Sequence, residues 1–375
     1  QFRMILKKDK LNLSVNRKVI FHILYIFFLL GIGIVIQKFG VIGNIIIPIF
    51  ASESQNYLAT QKRTMNSFIS NFPGKELILD IPFDHYQQLE YHRQQALKIG
   101  LLVSNNNDYV GAKLSVDEIP YNINIRLKGD GIDHIKDELK SSYRIKVIGD
   151  NTILGMKQFS IHHPRERNYL NEWLFHKTIN REGLISLRYF FVKVILNGTD
   201  LGIYALEEHF ERRLLENNQR KPGVIVRFDE EKVWDENVQF GKWMWGKTQA
   251  KISGYGSYYS SEIDAFQTNK IHSNSVYIEQ YIKAVKKLTN FRNSESKTSE
   301  VFDLDKLTTF FALTDLFGAG HGTVQHNVRY YFNPISNLLE PISFDAEPGS
   351  SMFILPHLNN SAKESFYYSF LQDNI

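Results

Sequence analysis

The most informative stretch of the chain is residues 126–146, which read R-L-K-G-D-G-I-D-H-I-K-D-E-L-K-S-S-Y-R-I-K. Alternating apolar and polar residues around both of its ends predict two β-strands, joined by a connection that contains glycine. Basic side chains stand where the first strand ends, at Arg126 and Lys128, and where the second ends, at Lys146. Backbone amides beside Gly129 could bind an anion together with such side chains. The stretch is therefore a candidate anion site, and an ordinary turn next to a solvated strand face is the alternative.

The flanking sequence predicts a mixed α+β domain. Residues 84–99 predict a helix that ends at Gly100, and residues 167–180 predict a second helix. The pair Asn197-Gly198 predicts a hairpin turn between two strands. The other predicted elements are strands at 75–82, 108–116, 121–127, 143–148, 159–162, 189–196, 201–206, 328–332 and 342–344, and helices at 276–288 and 304–317.

Three later fragments belong with the opening stretch: N-G-T-D-L-G-I-Y-A-L-E-E-H at 197–209, Q-H-N-V-R-Y-Y-F at 325–332 and P-I-S-F-D-A-E-P-G at 341–349. In this order and at these separations, the four fragments resemble the spore-coat CotH kinase-like family. The resemblance spans residues 76–349. It implies a diverged protein-kinase architecture with two lobes, which binds ATP and Mg²⁺ and transfers phosphate to a protein hydroxyl.

The resemblance also assigns residues to the phosphate end of the site. It places a phosphate-facing lysine at Lys146, with Arg126 and Lys128 as further cofactor-binding residues. Glu208 matches the acidic position after N-G-x-x-x-G-x-Y and would hold Lys146 extended or touch a metal. Glu172 on the second predicted helix is a rival partner for the lysine. It ranks lower because it points away from the helix's predicted apolar stripe, Leu170, Trp173 and Leu174.

The metal end of the site is expected on the last two fragments. Asn327 and Asp345 resemble the paired magnesium ligands of kinases, and Asp345 is counted with Lys146 and Glu208 among the catalytic residues. Glu347 stands where the family commonly has a second aspartate. Oxygen donors of this kind suit Mg²⁺, which keeps several waters and takes few protein ligands.

One position departs from the kinase pattern. The catalytic aspartate of kinases lies five residues before the metal-binding asparagine, and Gly322 occupies that place here. His321 or Asp315 could take over the role. Two functions therefore stay open: a weak or altered kinase, and a non-catalytic pseudokinase scaffold of the cell envelope that binds a protein or glycan partner.

Composition excludes several other classes of site and partner. The chain of 375 residues has no cysteine, which removes disulfides, thiolate nucleophiles and cysteine-ligated metals. The net charge of +4, from 44 basic and 40 acidic residues, does not indicate nucleic-acid binding. Adjacent His162 and His163 could ligate a metal, but neighbouring strand residues point to opposite faces, which favours a capping or surface role. The oligomeric state is not predictable from these features.

The N-terminal region predicts a membrane anchor. Residues 19–36 are apolar and long enough to cover most of the hydrocarbon core of a bilayer. Basic residues are concentrated before this segment, so the positive-inside bias puts the N-terminus in the cytoplasm and the main domain outside. The predicted organisation is a cytoplasmic tail at 1–18, a transmembrane helix at 19–36, a juxtamembrane segment at 37–61 and a kinase-like domain at 62–375. The chain begins at Gln1 rather than Met and stops at Ile375 shortly after a motif, so whether it is a fragment stays open.

Overall fold

The structure, a computed structural model, describes residues 74–129, 131–137, 140–229, 257–349 and 370. The strands within these residues are β1 (Glu76–Asp80), β2 (Val110–Val116), β3 (Ile119–Leu127), β4 (Tyr143–Val147), β5 (Gln158–His162), β6 (Tyr189–Leu196), β7 (Thr199–Glu208), β8 (Ile225–Phe228), β9 (Ile263–Ala265), β10 (Arg329–Asn333) and β11 (Leu338–Ile342). The α-helices are α1 (Phe83–Ile99), α2 (Leu170–Arg181), α3 (Arg212–Asn217), α4 (Ser257–Ser260), α5 (Thr268–His272), α6 (Ser275–Arg292), α7 (Thr298–Val301) and α8 (Leu304–Phe317).

The first seven strands form a closed barrel in the order β1-β2-β3-β4-β5-β7-β6. Neighbouring strands are antiparallel except for β1 and β6, whose parallel pairing sets Leu77 opposite Val194 and closes the ring. Inward-facing residues alternate along each strand, as Ile123 and Ile125 do on β3, and both are fully buried. A barrel of this size is filled by its own side chains, so its interior is a hydrophobic core.

The later strands form a second sheet in the order β11-β10-β8-β9. All of its pairs are antiparallel. Helix α6 packs on this sheet through Leu288 and Phe291, which join Phe228, Phe302 and Tyr330 in one apolar cluster. This second core supports β10, which directly follows the segment that carries Asn327.

Local signals in the sequence predicted several elements well. Helix α1 ends at Gly100, whose φ of +84° and backbone N–H to the carbonyl of Ala96 at 2.8 Å form the predicted helix stop. Asn197 and Gly198 both have positive φ, at +47° and +81°, and connect β6 to β7 as predicted. Both positions use the tolerance of glycine and asparagine for left-handed backbone.

The predicted fold class, an α+β domain with the two lobes of a kinase, is wrong for the described residues. The resemblance implied two kinase lobes, whereas the first seven strands close into a barrel and a second, four-stranded sheet follows. The contact that closes the barrel joins 76–79 to 193–196, which are far apart in the chain. Alternation of apolar residues indicates which face of a strand is buried but not which strand lies beside it, so closure left no signal in the sequence.

The predicted anchor at 19–36 lies outside the described residues, as do the tail at 1–18 and the juxtamembrane segment at 37–61. In the part of the chain that the structure describes, no helix combines the length and apolar character needed to span a bilayer.

Candidate functional site

A cavity of about 910 Å³ lies beside the ends of β3 and β4 and is lined on its other side by residues from 321–329 and 344–347. Nine of its lining residues are lysine or arginine, against four aspartates and glutamates. Such a one-sided charge concentrates anions, and the volume is large enough for a small-molecule ligand. The cavity brings six of the seven predicted site residues together: Arg126, Lys128, Lys146, Asn327, Asp345 and Glu347.

Lys128 and Glu207 form a buried ion pair at the inner end of this cavity. Lys128 directly follows β3, and its backbone N–H donates to the carbonyl of Ser142 at 2.9 Å, which extends the pairing with β4 by one residue. Burial lowers the pKa of Lys128 against the opposing effect of Glu207. Burial would raise the pKa of Glu207, but the positive charge of Lys128 holds it below its ordinary value. Lys128 therefore presents its cation to the cavity from a position fixed by Glu207.

Glu208, the acid predicted from the sequence, does not line the cavity. Its Oε2 accepts hydrogen bonds from Nε of Arg188 at 2.9 Å and from the backbone N–H of Arg188 at 3.0 Å. Glu207 and Glu208 are neighbours on β7, and successive strand side chains point to opposite faces. The acid on the cavity side of the strand is therefore Glu207, and its lysine partner is Lys128 rather than Lys146.

Lys146 and Arg126 both contact the Tyr109 ring at the cavity wall. Nζ of Lys146 is 4.1 Å from the ring centroid, and Cζ of Arg126 is 5.3 Å from it. Lys146 also donates to Oδ1 of Asn106 at 3.3 Å. Cation–π contacts of this kind hold both cations at the cavity without neutralising them.

The two predicted carboxylates of the 343–349 loop converge on one arginine and one histidine. Nη2 of Arg167 is 2.7 Å from Oδ1 of Asp345, and Nη1 is 3.6 Å from Oε1 of Glu347. Nδ1 of His321 contacts the carbonyl oxygen of Asp345 at 2.8 Å and lies 3.6 Å from Oδ1. Burial would raise the pKa of Asp345, but Arg167 and His321 lower it far below its ordinary value. Asp345 is therefore an anion at neutral pH.

Residues His321, Asp345 and Glu347 could hold a divalent cation. One ligand atom from each lies within 4.8 Å of the other two. The two carboxylates are oxygen donors that suit Mg²⁺ or Mn²⁺, and the His321 imidazole would have to lose a proton before it could join them as a ligand. The residues fit a metal ion, and a cation there would have to share the carboxylates with Arg167.

Asn327 and Gly322 belong to the same corner of the cavity. Asn327 is buried and donates its side-chain N–H to the carbonyl oxygen of His321 at 2.9 Å. A Cβ on Gly322 would lie 2.9 Å from Cα and 3.1 Å from Cβ of Ala346. The 343–349 loop thus passes too close to Gly322 for an aspartate to occupy the position. Of the two suggested substitutes, His321 lines the cavity and Asp315 does not.

Two histidines on opposite walls of the cavity have opposite pKa shifts. Burial and the positive charges of Arg167 and Lys128 lower the pKa of His134 to about 3. Burial acts in the same direction on His321, but its contacts with Asp345 outweigh it and raise its pKa to about 9. At neutral pH His134 is uncharged and His321 is a cation, so the local charge environment differs across the cavity.

The first turn of α2 has a role that the sequence did not predict. Its expected apolar stripe is wrong at Leu174, whose side chain is 49% exposed, whereas Glu172 is fully buried. Oε1 and Oε2 of Glu172 accept the backbone N–H groups of Ala346 at 3.2 Å and Glu347 at 3.0 Å. Glu172 therefore contacts the 343–349 loop and is not a partner of Lys146.

The predictions for the other polar residues near this turn were only partly correct. His163 caps the short 3-10 turn at 164–167 by accepting the backbone N–H of Arg165 at 3.0 Å, as expected for one of the paired histidines. His162 is fully buried rather than on the surface. Arg167, at the end of that turn, was read as the start of a helix. Its role depends on contacts with a loop distant in sequence, for which the local pattern holds no signal.

Comparison with protein families agrees with the motifs. The family model described as CotH kinase protein matches residues 125–356. Comparison with curated proteins gave no match. The matched range contains both walls of the cavity, from the basic end of β3 to the 343–349 loop, and extends over more than half of the chain. The chain belongs to the CotH kinase protein family.

Proposed function

We propose that the cavity binds Mg²⁺-ATP and that the protein transfers the terminal phosphate to a hydroxyl group of another protein. The observation that carries the proposal is the meeting of a strongly basic cavity with the cluster of His321, Asp345 and Glu347. Phosphoryl transfer depends chiefly on positioning and on stabilising negative charge, and this cavity offers cations for phosphates beside oxygen donors for a metal.

Individual roles follow from the position of each side chain. Lys128, held by Glu207, would bind phosphate oxygens at the inner end, while Lys146 and Arg126 would bind them beside Tyr109. Asp345 and Asn327 would hold Mg²⁺, with Glu347 beside them. The bound metal would neutralise phosphate charge that builds up during transfer.

In the proposed reaction the acceptor hydroxyl oxygen forms a bond to the terminal phosphorus. The bond from that phosphorus to the bridging oxygen breaks, and ADP leaves with the electron pair. The hydroxyl proton needs an acceptor, and we assign this role to Glu347. Its side chain is 37% exposed, against 18% for Asp345, and burial raises its pKa. A general base contributes about 10²–10⁴-fold to such a step, so most of the rate would come from positioning.

The test is a calorimetric titration of Mg²⁺-ATP into the whole protein, followed by a search for phosphate transfer to protein acceptors. Asp345→Ala should weaken binding at least about tenfold, since it removes a metal ligand. Asp200→Ala is the matched control, because Asp200 lies on the exposed β6-β7 hairpin and pairs only with surface groups there. Absence of binding by the folded wild-type protein, or an equal effect of both variants, would refute the proposal.

A second function is favoured by Gly322. The close approach of Ala346 leaves no room for a carboxylate at the position where kinases have their catalytic aspartate. A non-catalytic member of the family would use the same basic cavity to recognise a protein or glycan of the cell envelope. Nucleotide binding without phosphate transfer to any protein acceptor, or no nucleotide binding at all, would favour this function.

A further inference from the structure

The first turn of α2 makes an unusual contact with the 343–349 loop through Glu172. The carboxylate is fully buried, and each of its oxygens accepts one backbone N–H, from Ala346 and from Glu347. These amides are consecutive and lie between the Cα atoms of the two residues that carry the loop carboxylates, Asp345 and Glu347. A buried charged group requires such hydrogen bonds, because burial without them carries a large free-energy penalty.

The loop itself needs external support. Asp345 and Glu347 both have left-handed backbone, with φ of +53° and +47°. This backbone conformation is unfavourable for non-glycine residues, so it persists only where the surroundings hold it. The conformation matters because it places Asp345, Glu347 and His321 within 4.8 Å of one another.

Two asparagines from the same part of the chain add to this support. Asn168, just before α2, and Asn171, in its first turn, each donate a side-chain N–H to the carbonyl oxygen of Pro348 at 3.1 Å. Together with Glu172 they bind three consecutive residues of the loop, 346–348, through its backbone. The start of α2 therefore holds the loop by contacts that do not depend on the loop's own side chains.

Other buried residues hold the Glu172 side chain in place. Nε2 of His176 lies 3.4 Å from Oε1 of Glu172, and Nδ1 of His176 lies 3.3 Å from Oγ of Ser186. The His176 ring stacks on Tyr189 at 5.6 Å between centroids. All four residues are buried, and none of them lines the cavity. Glu172 thus has a fixed position and no route to a ligand in the cavity.

We infer that Glu172 is a positioning residue, whose hydrogen bonds to the amides of Ala346 and Glu347 set the position of Asp345, which would bind the metal, relative to Glu347 beside it. Its effect on metal binding rests on the proposed function, whereas its effect on the loop does not. Removing a residue that orients metal ligands typically weakens metal affinity about 10–100-fold. We expect a loss of this size when Glu172 can no longer accept both N–H groups.

The decisive variant is Glu172→Gln. It keeps the size of the side chain but replaces one acceptor oxygen with an N–H₂ donor, which cannot accept the second amide. Glu172→Ala removes both acceptors and is used only if it folds. The control is Glu216→Gln on α3, an exposed glutamate whose side chain pairs with Arg212 one turn earlier on the same helix.

Two measurements on the whole protein keep the inference separate from the proposed function. Hydrogen exchange at residues 346–347 should be slow in the wild type and in Glu216→Gln, and at least about tenfold faster in Glu172→Gln. Titrations with ATP should show a loss of at least about tenfold in Glu172→Gln when Mg²⁺ is present, and less than twofold when Mg²⁺ is absent.

The outcomes are distinguishable. Fast exchange at 346–347 in the wild type, or unchanged exchange in Glu172→Gln, would overturn the positioning role whether or not ATP binds. If the wild type binds no Mg²⁺-ATP, the proposed function fails, and the exchange comparison still decides what Glu172 does. An equal loss of ATP affinity with and without Mg²⁺ would also overturn the role, because a general structural defect would produce it.

Discussion

The two walls of the cavity are built in different ways. The barrel wall, with Arg126, Lys128 and Lys146, has its side chains on or next to paired strands, where the ladder of β3 and β4 fixes them. The loop wall, residues 343–349, has no helix or strand and is held by side chains that bind its backbone. We therefore expect the stability of the barrel wall to depend chiefly on the buried Lys128–Glu207 pair, and that of the loop wall on hydrogen bonds to its backbone and on its close packing against Gly322.

The largest expected loss of stability comes from a substitution on the barrel wall. Lys128→Met leaves Glu207 buried without its counter-ion, and breaking such a pair destabilises a protein by about 3–5 kcal/mol. Denaturant unfolding would measure the loss. Lys193→Met is the matched control, because Lys193 pairs with Glu76 and Asp200 in solvent and exposed ion pairs contribute little to stability.

A double variant sharpens this prediction. Lys128→Met combined with Glu207→Leu removes both charges, so most of the stability should return although the cavity loses a phosphate-binding cation. If Lys128→Met alone unfolds no more readily than Lys193→Met, the buried pair does not support the barrel wall, and the contrast between the two walls is lost.

The next largest expected loss of stability comes from a substitution next to the loop wall. Gly322→Asp, which restores the kinase residue, should destabilise the protein by about 1–3 kcal/mol and weaken Mg²⁺-ATP binding, because its Cβ would overlap Ala346. Gly131→Asp is the control for stability, since a Cβ there meets no atom within 4 Å and its φ of −77° suits any residue; because Gly131 lines the cavity, this variant is left out of the titration. Thermal unfolding and the calorimetric titration would measure both properties. A stable Gly322→Asp protein with increased transfer would contradict the prediction.

The sequence predicted the barrel wall better than the loop wall, for a physical reason. Alternation located β3 and β4 and so placed Arg126 and Lys146 at strand ends, as observed. It could not choose between Glu207 and Glu208, because β7 is buried on both faces at this end and the two side chains are equally hidden. Family resemblance then selected Glu208, which binds Arg188 instead.

On the loop wall the carboxylates themselves were predicted, since D-A-E follows a recognisable strand. Their supports were not, because Glu172 and Arg167 reach the loop across a large separation in sequence. The helix periodicity was also misleading: α2 buries Glu172, Phe175, His176 and Ile179 and exposes Leu174. A buried glutamate is stable there only because the loop supplies two N–H groups, a contact that no local pattern contains.

The smallest expected effect is a difference in pKa between the histidines on the two sides of the cavity, His321 and His134. His321 on the loop side should titrate near its raised pKa of about 9, and His134 on the barrel side near its lowered pKa of about 3. The contribution of His321 to stability is present in full below its ordinary pKa of 6.5 and is lost as the pH rises through about 9. The contribution of His134 has the opposite sign, because stability is lost as the pH falls from 6.5 towards 3.

NMR titration of the ring protons in the wild type, Asp345→Asn and Asp133→Asn would test these pKa shifts. Asp345→Asn should lower the pKa of His321, since it removes the partner that opposes burial, and Asp133→Asn should leave it unchanged. Similar titration of both histidines in the wild type would show that the two walls share one electrostatic environment.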